Sequence, residues 1–390
     1  MTQGRTELRG RLVLDDRVEP GRVVVEDDRI ASVDLDETGP SGGAASLPYL
    51  VPGFVDVHVH GWGGHSAMGP VEDLDGMARA LLRRGVTSFL PTAWTTPMAE
   101  LHAFADRVRA WIPRAPDDGA QPLGFNLEGP FISHAKKGAH NPDLILSPAE
   151  VPWSQIEPLV EGLTVTTIAP EIPGGLDLIR RLRGLGVRVS IGHSGADLAG
   201  AIAGYDAGGT TTTHLFNGMT GLDHRSPGVA VAALIRNDAY VELIADGHHV
   251  HPAVWTIIER TKPTDRLMLI SDALSMAGMG DGRVTIGGQE IEIRNGRCTL
   301  ADGTLAGSVI ALDSAVRNVV ANGSTLAAAV GAASRNPLAM LGVSDRGRIA
   351  VGQRADLVEL DDALTVQRVM RAGTWLGGAS RRVGAGADRA

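Results

Sequence analysis

The chain has 390 residues, 43% of them hydrophobic and 21% charged, which is typical of a globular protein with one main and one smaller domain. Its formal net charge of −9 argues against broad nucleic-acid binding, which requires a basic surface, but permits a small anionic substrate in a locally positive pocket. Cys298 is the only cysteine, which excludes an internal disulfide, and since no apolar run resembles a signal peptide or membrane span, we expect a cytoplasmic protein without membrane association.

Short strand-like runs separated by tight turns fill residues 1–50 and recur at 283–299 and 355–360. A β meander of this size is not stable alone, so we predict that the N- and C-terminal segments meet in one small β-sandwich domain. Its predicted parts are 1–50 and 346–390, the latter ending in a frayed tail rich in Gly, Ala and Arg (377–390). The main domain is predicted at 51–345, with a β insertion near 283–300 that could join the small domain.

Strand-like and helix-like runs alternate in the main domain. The predicted strands are Phe54–Val59, Val86–Pro91, Leu123–Leu127, Leu163–Ala169, Val187–Gly192, Thr210–His214, Val241–Ala245 and Leu267–Ser271. The predicted helices are Asp73–Arg84, Met98–Trp111, Leu176–Leu185, Ala196–Ala207 and Pro252–Arg260, followed by a mainly helical segment at 303–345. Eight such units predict an α/β fold of the (β/α)8 TIM-like barrel type. The alternative is a doubly wound open sheet, although no Gly-x-Gly-x-x-Gly turn follows an early strand.

The first predicted strand carries His58 and His60 at alternate positions, so both imidazoles project from the same face near its end. Two imidazoles on one rigid element supply half of a metal site. Taken alone, a His-x-His pair is more often two polar residues at the end of a buried strand.

Four further polar side chains stand at the ends of other predicted strands, namely Glu128, His193, His214 and Asp272. The active sites of barrels lie where the strands end, so these residues and the first two histidines should converge, although any one alone could be a core histidine or a helix cap. Imidazole and carboxylate together suit zinc or iron, and manganese or cobalt less decisively. A metal lowers the pKa of water toward ~7, and a nearby carboxylate can move its proton, a role for which Asp272 is the candidate.

Local motifs over most of the chain, from about Val51 to Gly307, resemble the amidohydrolase superfamily and, within it, the N-acetylglucosamine-6-phosphate deacetylase family. They are Pro52–Asp56, Leu127–Phe131, Lys136–Pro142, Gly192–Ser194, Thr213–Met219, Ala245–Val250, Ser271–Ala273 and Leu305–Ser308. The resemblance implies metal-dependent hydrolysis of the N-acetyl group of N-acetyl-D-glucosamine 6-phosphate to D-glucosamine 6-phosphate and acetate.

The resemblance also implies roles for particular residues. Glu128, His193 and His214 match the principal metal site, and Asp272 matches the general acid/base. Because His58 and His60 are present, a second ion bridged by Glu128 is compatible with the sequence, giving one or two ions per subunit, most simply zinc. The implied substrate contacts are Ala139, His140, Asn217, Gly218, Arg225, His249, Leu305, Ala306 and Gly307. Phosphate contacts from Arg225 and His249 can come from a partner subunit in this family, so we expect a homodimer.

Two alternatives remain open from the sequence. The chain could be an amidohydrolase acting on another N-acetylated amino-sugar phosphate, which a panel of N-acetyl hexosamine 6-phosphates would reveal. It could instead be a non-catalytic scaffold on a degenerate barrel, although such proteins typically lose ligands and all six polar positions are present here. The fourth predicted strand contains no lysine, which disfavours amidohydrolases that bridge two metals with a carboxylated lysine.

Overall fold

The computed structural model describes residues 4–36 and 47–376. The predicted frayed tail, 377–390, lies outside the described residues, as do 1–3 and 37–46 of the predicted N-terminal segment. No helix within the described ranges is long and apolar enough to cross a membrane.

All eight predicted strands of the main domain are present, and we refer to them as core strands one to eight. In chain order they are Phe54–Val59, Val86–Trp94, Phe125–Glu128, Leu163–Ile168, Arg188–Ile191, Gly209–Thr212, Val241–Ile244 and Leu267–Ile270. The first six pair in parallel, each with its neighbour in the chain, and the last two form a second parallel pair. Parallel pairing places the carboxyl ends of the first six strands on one side of their sheet, and those of the last two on one side of theirs.

Hydrogen bonds also connect the edges of these two groups of strands. The amide of Leu215 donates to the carbonyl of Glu242 at 2.8 Å, which links the segments around core strands six and seven. The amide of Asp272 donates to the carbonyl of His58 at 2.9 Å, which links core strand eight to core strand one. The first and last core strands are therefore neighbours.

Helices separate the core strands and bury apolar side chains between themselves and the strands. They are Val71–Leu82, Met98–Trp111, Trp153–Ile156, Gly175–Gly184, Leu198–Asp206, Val229–Ile235, Pro252–Thr261, Leu312–Ala321, Leu326–Ala333 and Arg335–Leu341. The helix Val71–Leu82 shows why they form, because its buried side chains recur with helical spacing: Leu74, Met77, Ala78 and Leu81. Acidic residues in its first turn, Glu72 and Asp73, suit the positive end of the helix dipole.

The two ends of the chain contribute to one mixed sheet of seven strands. Its order is Thr374–Leu376, Val366–Arg371, Leu357–Leu360, Tyr49–Pro52, Arg5–Val13, Val18–Glu26 and Arg29–Leu35. Leu12, Leu50 and Leu357 are buried together in its core. The strand Tyr49–Pro52 leads directly into core strand one through Gly53, where a Cβ atom would lie only 2.2 Å from Thr87 Oγ1. The seven-stranded sheet is thus held close to the start of the main domain.

The segment predicted as a β insertion near 283–300 pairs only with itself among the described strands. Gly282–Ile286, Gln289–Arg294 and Arg297–Thr299 form a separate three-stranded antiparallel sheet. Ile291 and Ile293 pack against Leu274 and Ala306 beside the end of core strand eight.

Candidate functional site

The candidate metal ligands gather where the core strands end. Glu128 is the last residue of its strand, while His193, His214 and Asp272 each stand two positions beyond theirs. All four side chains are buried, as are those of His58 and His60. The predicted convergence of six polar residues is therefore present in the structure.

Glu128 lies at the centre of this group, and its two carboxylate oxygens face different partners. Its Oε1 lies 2.8 Å from His214 Nε2 and 3.0 Å from His193 Nε2, and these two nitrogens are 3.1 Å apart. Its Oε2 lies 3.1 Å from His60 Nε2 and 3.6 Å from His58 Nε2. One carboxylate thus contacts two pairs of imidazoles.

Asp272 completes the side of the group that contains the His-x-His pair. Its Oδ1 lies 3.2 Å from His60 Nε2 and 3.5 Å from His58 Nε2. One nitrogen or oxygen atom from each of His58, His60, Glu128 and Asp272 lies within 4.8 Å of the others. Four buried donor atoms at such separations can share one cation.

Hydrogen bonds at the far side of three imidazole rings decide which nitrogen faces the centre. His60 Nδ1 donates to the carbonyl of Thr92 at 3.1 Å, and His193 Nδ1 donates to the carbonyl of Lys136 at 2.8 Å. His58 Nδ1 contacts the Glu242 carboxylate at 3.2 Å. With a hydrogen on Nδ1, each ring turns Nε2 toward the group, and Nε2 is the nitrogen available to a metal, as a metal-ligating histidine requires.

The donor set fits a divalent metal. His58 Nε2 is buried without a hydrogen-bond partner among the described residues, which would be costly for a nitrogen that had no ligand to bind. Neutral imidazole nitrogens with carboxylate oxygens are the donors preferred by zinc and related first-row metals. His58, His60, Glu128, His193, His214 and Asp272 would hold such a metal.

The charges in this group are mutually dependent. Burial alone would raise the pKa of Glu128 and Asp272, but the neighbouring histidines, His58 foremost, lower both pKa values. Burial would lower the pKa of His60, but hydrogen bonds to Asp272 and Glu128 raise it to about 9. The two carboxylates are therefore held ionised, the state in which they accept protons or ligate metals.

Three of the site residues adopt an uncommon backbone conformation. His193, His214 and Asp272 have φ values of 45°, 26° and 50°, in the left-handed region that non-glycine residues seldom occupy. Such conformations cluster at functional sites, where the surrounding structure enforces them. Their occurrence at three separate strand ends supports a functional rather than a purely structural role for this group.

A cavity of about 270 Å³ opens directly above the candidate ligands. Its walls include most of the predicted substrate contacts: Ala139, His140, Asn217, Gly218, His249, Leu305, Ala306 and Gly307. These residues come from four separate loops, so the structure brings together positions that are remote in the chain. The volume suits one small molecule.

His140 lines the cavity and carries its ring hydrogen on the nitrogen that faces Glu128. The amide of Thr95 donates to His140 Nδ1 at 3.3 Å, so the ring proton lies on Nε2. That Nε2 atom lies 3.5 Å from Glu128 Oε2. Burial lowers the pKa of His140, which favours this neutral form.

His249 stands elsewhere in the cavity wall, beside a carboxylate that favours its protonated form. Its Nδ1 lies 2.7 Å from Asp246 Oδ2, and the other oxygen of Asp246 accepts the backbone amides of His248 and His249. Burial lowers the pKa of His249, but the bond to Asp246 outweighs this and raises it. His249 is therefore suited to bind an anion through Nε2.

Among the predicted site residues, His58 lies beneath the cavity without lining it, and Arg225 is the one that the structure brings neither to the cavity nor to the candidate metal ligands. It is exposed in the loop that follows Gly218, and its backbone amide donates a hydrogen bond to Asp223 Oδ1 at 2.7 Å. The expectation that it contacts the phosphate in a partner subunit stays a prediction.

Several residues of the site were not identified from the sequence. Trp94, Ile286 and Ile291 line the cavity, and Glu242 and Asp246 orient two of the histidines. A signal existed for Glu242, because it is a lone acid within the apolar core strand seven. Nothing local in 282–299 indicates that its isoleucines cover a cavity.

Comparison with known proteins gives consistent results. The sequence model of the "Amidohydrolase family" matches residues 49–376. The N-acetylgalactosamine-6-phosphate deacetylase of Escherichia coli O157:H7 is 42% identical over 82% of this chain and 85% of its own length. The N-acetylglucosamine-6-phosphate deacetylase of Danio rerio is 37% identical over 83% of each.

Solved structures agree with these relatives. The N-acetylglucosamine-6-phosphate deacetylase of Thermotoga maritima superposes with a TM-score of 0.88 at 33% identity, over 96% of this chain and 100% of that one. A mutant of the Mycobacterium smegmatis N-acetyl-D-glucosamine-6-phosphate deacetylase, in complex with N-acetyl-D-glucosamine-6-phosphate, gives the same TM-score and identity over 96% and 99%.

Proposed function

This chain belongs to the amidohydrolase family, and we propose on that premise that it removes the acetyl group from N-acetyl-D-glucosamine 6-phosphate in a metal-dependent hydrolysis. The products are D-glucosamine 6-phosphate and acetate. The single observation that supports this most strongly is the arrangement around Glu128, whose carboxylate lies within 3.6 Å of five imidazole rings beneath a cavity sized for one small molecule.

The reaction requires a group that moves a proton between water and the departing amine, and Asp272 is suited to that task. Its carboxylate is held ionised, and it lies beside His60 in the wall of the cavity. A bound divalent metal, which we propose to be zinc, would act as a Lewis acid that lowers the pKa of water and polarises the acetyl carbonyl. Asp272 takes the proton from the attacking water and passes it to the amine nitrogen.

His140 stabilises the charge that develops on the acetyl oxygen. Its Nε2–H faces the cavity next to Glu128, and the Thr95 amide fixes that tautomer. A fixed donor of this kind costs little reorganisation during the reaction. Glu128, His193 and His214 form the principal metal site in this proposal, and His58 and His60 add a second position, so one or two ions bind.

The phosphate is bound at the His249 end of the cavity. The His249 imidazolium supplies positive charge, and Asn217 and Gly218 supply backbone contacts. Arg225 adds a guanidinium from the partner subunit of a homodimer, because in its own subunit it lies outside the cavity wall. Ala139, Leu305, Ala306 and Gly307 shape the remaining wall.

In this proposal the site belongs to a closed (β/α)8 barrel formed by residues 51–345, and the two flanking segments form a small β domain. The hydrogen bonds between core strands eight and one, and between the segments around core strands six and seven, support closure. The sheet that combines strands from both ends of the chain supports the small domain. A cytoplasmic location and a homodimer complete the proposal.

A second candidate substrate is the galactosamine epimer, N-acetyl-D-galactosamine 6-phosphate. It has specific support, because the relative named as a deacetylase of that sugar phosphate is identical to this chain at 42% of the aligned residues. The two sugars differ only at one hydroxyl, so the acetyl and phosphate contacts proposed above serve both.

The test is acetate release by metal-loaded protein, measured with each epimer of the phosphorylated sugar and with unphosphorylated N-acetylglucosamine. We expect rapid release from the glucosamine epimer, slower release from the galactosamine epimer, little without phosphate, and loss of activity after chelation. Faster release from the galactosamine epimer would favour the second candidate. No release from either phosphorylated sugar would refute the proposed reaction.

A further inference from the structure

Glu242 is a buried acid to which the proposed reaction gives no role. It lies in core strand seven within the sequence Val-Glu-Leu-Ile, where all four residues are buried, and its side chain is 0% exposed. A carboxylate without water is costly unless other groups compensate it. Its contacts therefore indicate why an acid stands in this position.

Both contacts of the Glu242 carboxylate lead to candidate metal ligands. Its Oε2 accepts the backbone amide of His214 at 3.2 Å and lies 3.2 Å from His58 Nδ1. Its Oε1 has no hydrogen-bond partner among the described residues. The carboxylate is thus buried against two ligands rather than neutralised by an arginine or lysine.

The contact with His58 sets the proton on that ring. A carboxylate oxygen accepts hydrogen bonds, so its contact with Nδ1 places the ring hydrogen on that nitrogen. His58 Nε2 is therefore the ring nitrogen that faces the centre, 3.5 Å from Asp272 Oδ1 and 3.6 Å from Glu128 Oε2. His60 and His193 are held by backbone carbonyls instead, so His58 is the ring oriented by a side chain that substitution can change.

We propose that Glu242 is a positioning residue that holds His58 in the metal-ligating tautomer and thereby sets the affinity for the ion bound by the His58 and His60 pair. This inference rests on the metal centre proposed above. A carboxylate behind a ligating imidazole orients the ring and raises its basicity, and loss of such a partner typically costs about 10–100-fold in metal affinity. Glu242 contacts only the backbone of His214, so the other ion should be affected less.

The test is a titration of metal-free protein with zinc or cobalt, which counts the ions bound and measures each affinity without any substrate. Glu242→Ala removes the acceptor and the charge, Glu242→Gln keeps the size and an acceptor oxygen, and His58→Asn is the reference for loss of the ring. We expect Glu242→Ala to weaken one of two ions by about 10–100-fold, with Glu242→Gln intermediate and the remaining ion bound as in the unaltered chain.

Asp56 offers a matched control. It is equally buried, and its Oδ1 accepts the backbone amides of His58 and Ser271, each at 3.3 Å, without contacting the imidazole. Asp56→Asn should leave both affinities unchanged, and the melting temperatures of the metal-free variants separate folding defects from metal loss.

Three results would overturn the proposal. The first is an unchanged metal affinity in Glu242→Ala, and the second is an equal loss of affinity for the same ion in Asp56→Asn. The third is that the unaltered chain binds a single ion whose affinity does not change in His58→Asn. Because acetate release is measured separately on the unaltered chain, failure of the proposed reaction and failure of this inference give different outcomes.

Discussion

Replacement of Asp246 by Asn tests how the proposed phosphate end of the cavity works. The Asp246 carboxylate lies 2.7 Å from His249 Nδ1. Burial has the largest effect on the pKa of this imidazole and lowers it, but the hydrogen bond and the charge of Asp246 raise it. Asp272 also raises this pKa, and Arg297 lowers it. An asparagine oxygen can still accept from Nδ1, so the substitution removes the charge while keeping the orientation of the ring.

The expected effect depends on pH. In the unaltered chain the pKa of His249 lies above the ordinary histidine value of about 6.5. In Asp246→Asn the charge that counteracts the effect of burial is gone, so the pKa of His249 falls to that value or below it. A phosphate contact to a charged donor is worth about 1.4 kcal/mol more than one to a neutral donor, or about tenfold in KM. The KM ratio of variant to unaltered chain should therefore approach about 10 at a pH between the two pKa values of His249 and return toward unity at a pH where the imidazole is protonated in both proteins.

The assay is acetate release at several pH values with phosphorylated and unphosphorylated N-acetylglucosamine. The turnover number, kcat, should change little, because Asp246 does not contact the reacting amide in our proposal. His248→Ala is the matched control, since His248 is the exposed neighbour and lies outside the cavity wall. A KM ratio independent of pH, or an equal rise in KM for the unphosphorylated sugar, would refute the electrostatic explanation.

Three further predictions concern other parts of the chain. Asp272→Asn should lower kcat by about 10²–10⁴-fold while elemental analysis finds the metal retained, and near-normal turnover would contradict its role in proton transfer. Arg225→Ala should raise KM for the phosphorylated sugar alone; an equal rise for the unphosphorylated sugar would argue against phosphate binding. Cys298 is 1% exposed, and burial raises its pKa to about 12, so a thiol reagent at pH 8 should label it only after unfolding, and rapid labelling of native protein would disagree with its packing.

The core strands and the candidate ligands could be predicted because both depend on short local patterns. Core strand one, Phe54–Val59, and the helix Met98–Trp111 have the predicted bounds, since Gly53 and Pro97 mark where each begins. Core strand two runs three residues beyond its predicted end, Pro91, to Trp94, and burial continues through Thr92 and Ala93. The position of a histidine or acid at a strand end is likewise local.

The groups that control those ligands depend instead on long-range contacts. The small sheet at 282–299 has an evident antiparallel pattern, yet only the packing of Ile291 against Leu274 decides that it lies beside the cavity. His58 and Glu242 are 184 positions apart, and nothing near either residue indicates that they meet.

This difference matters most for the protons of the imidazoles. His58, His60 and His193 all direct Nε2 toward Glu128, but their Nδ1 atoms donate to a side-chain carboxylate in the first case and to backbone carbonyls in the other two. A backbone carbonyl is present whatever residue occupies its position, so those two rings keep their tautomer through most substitutions. The orientation of His58 depends on one side chain, and the His58 end of the centre should therefore lose metal affinity before the His193 end in variants that perturb the core strands.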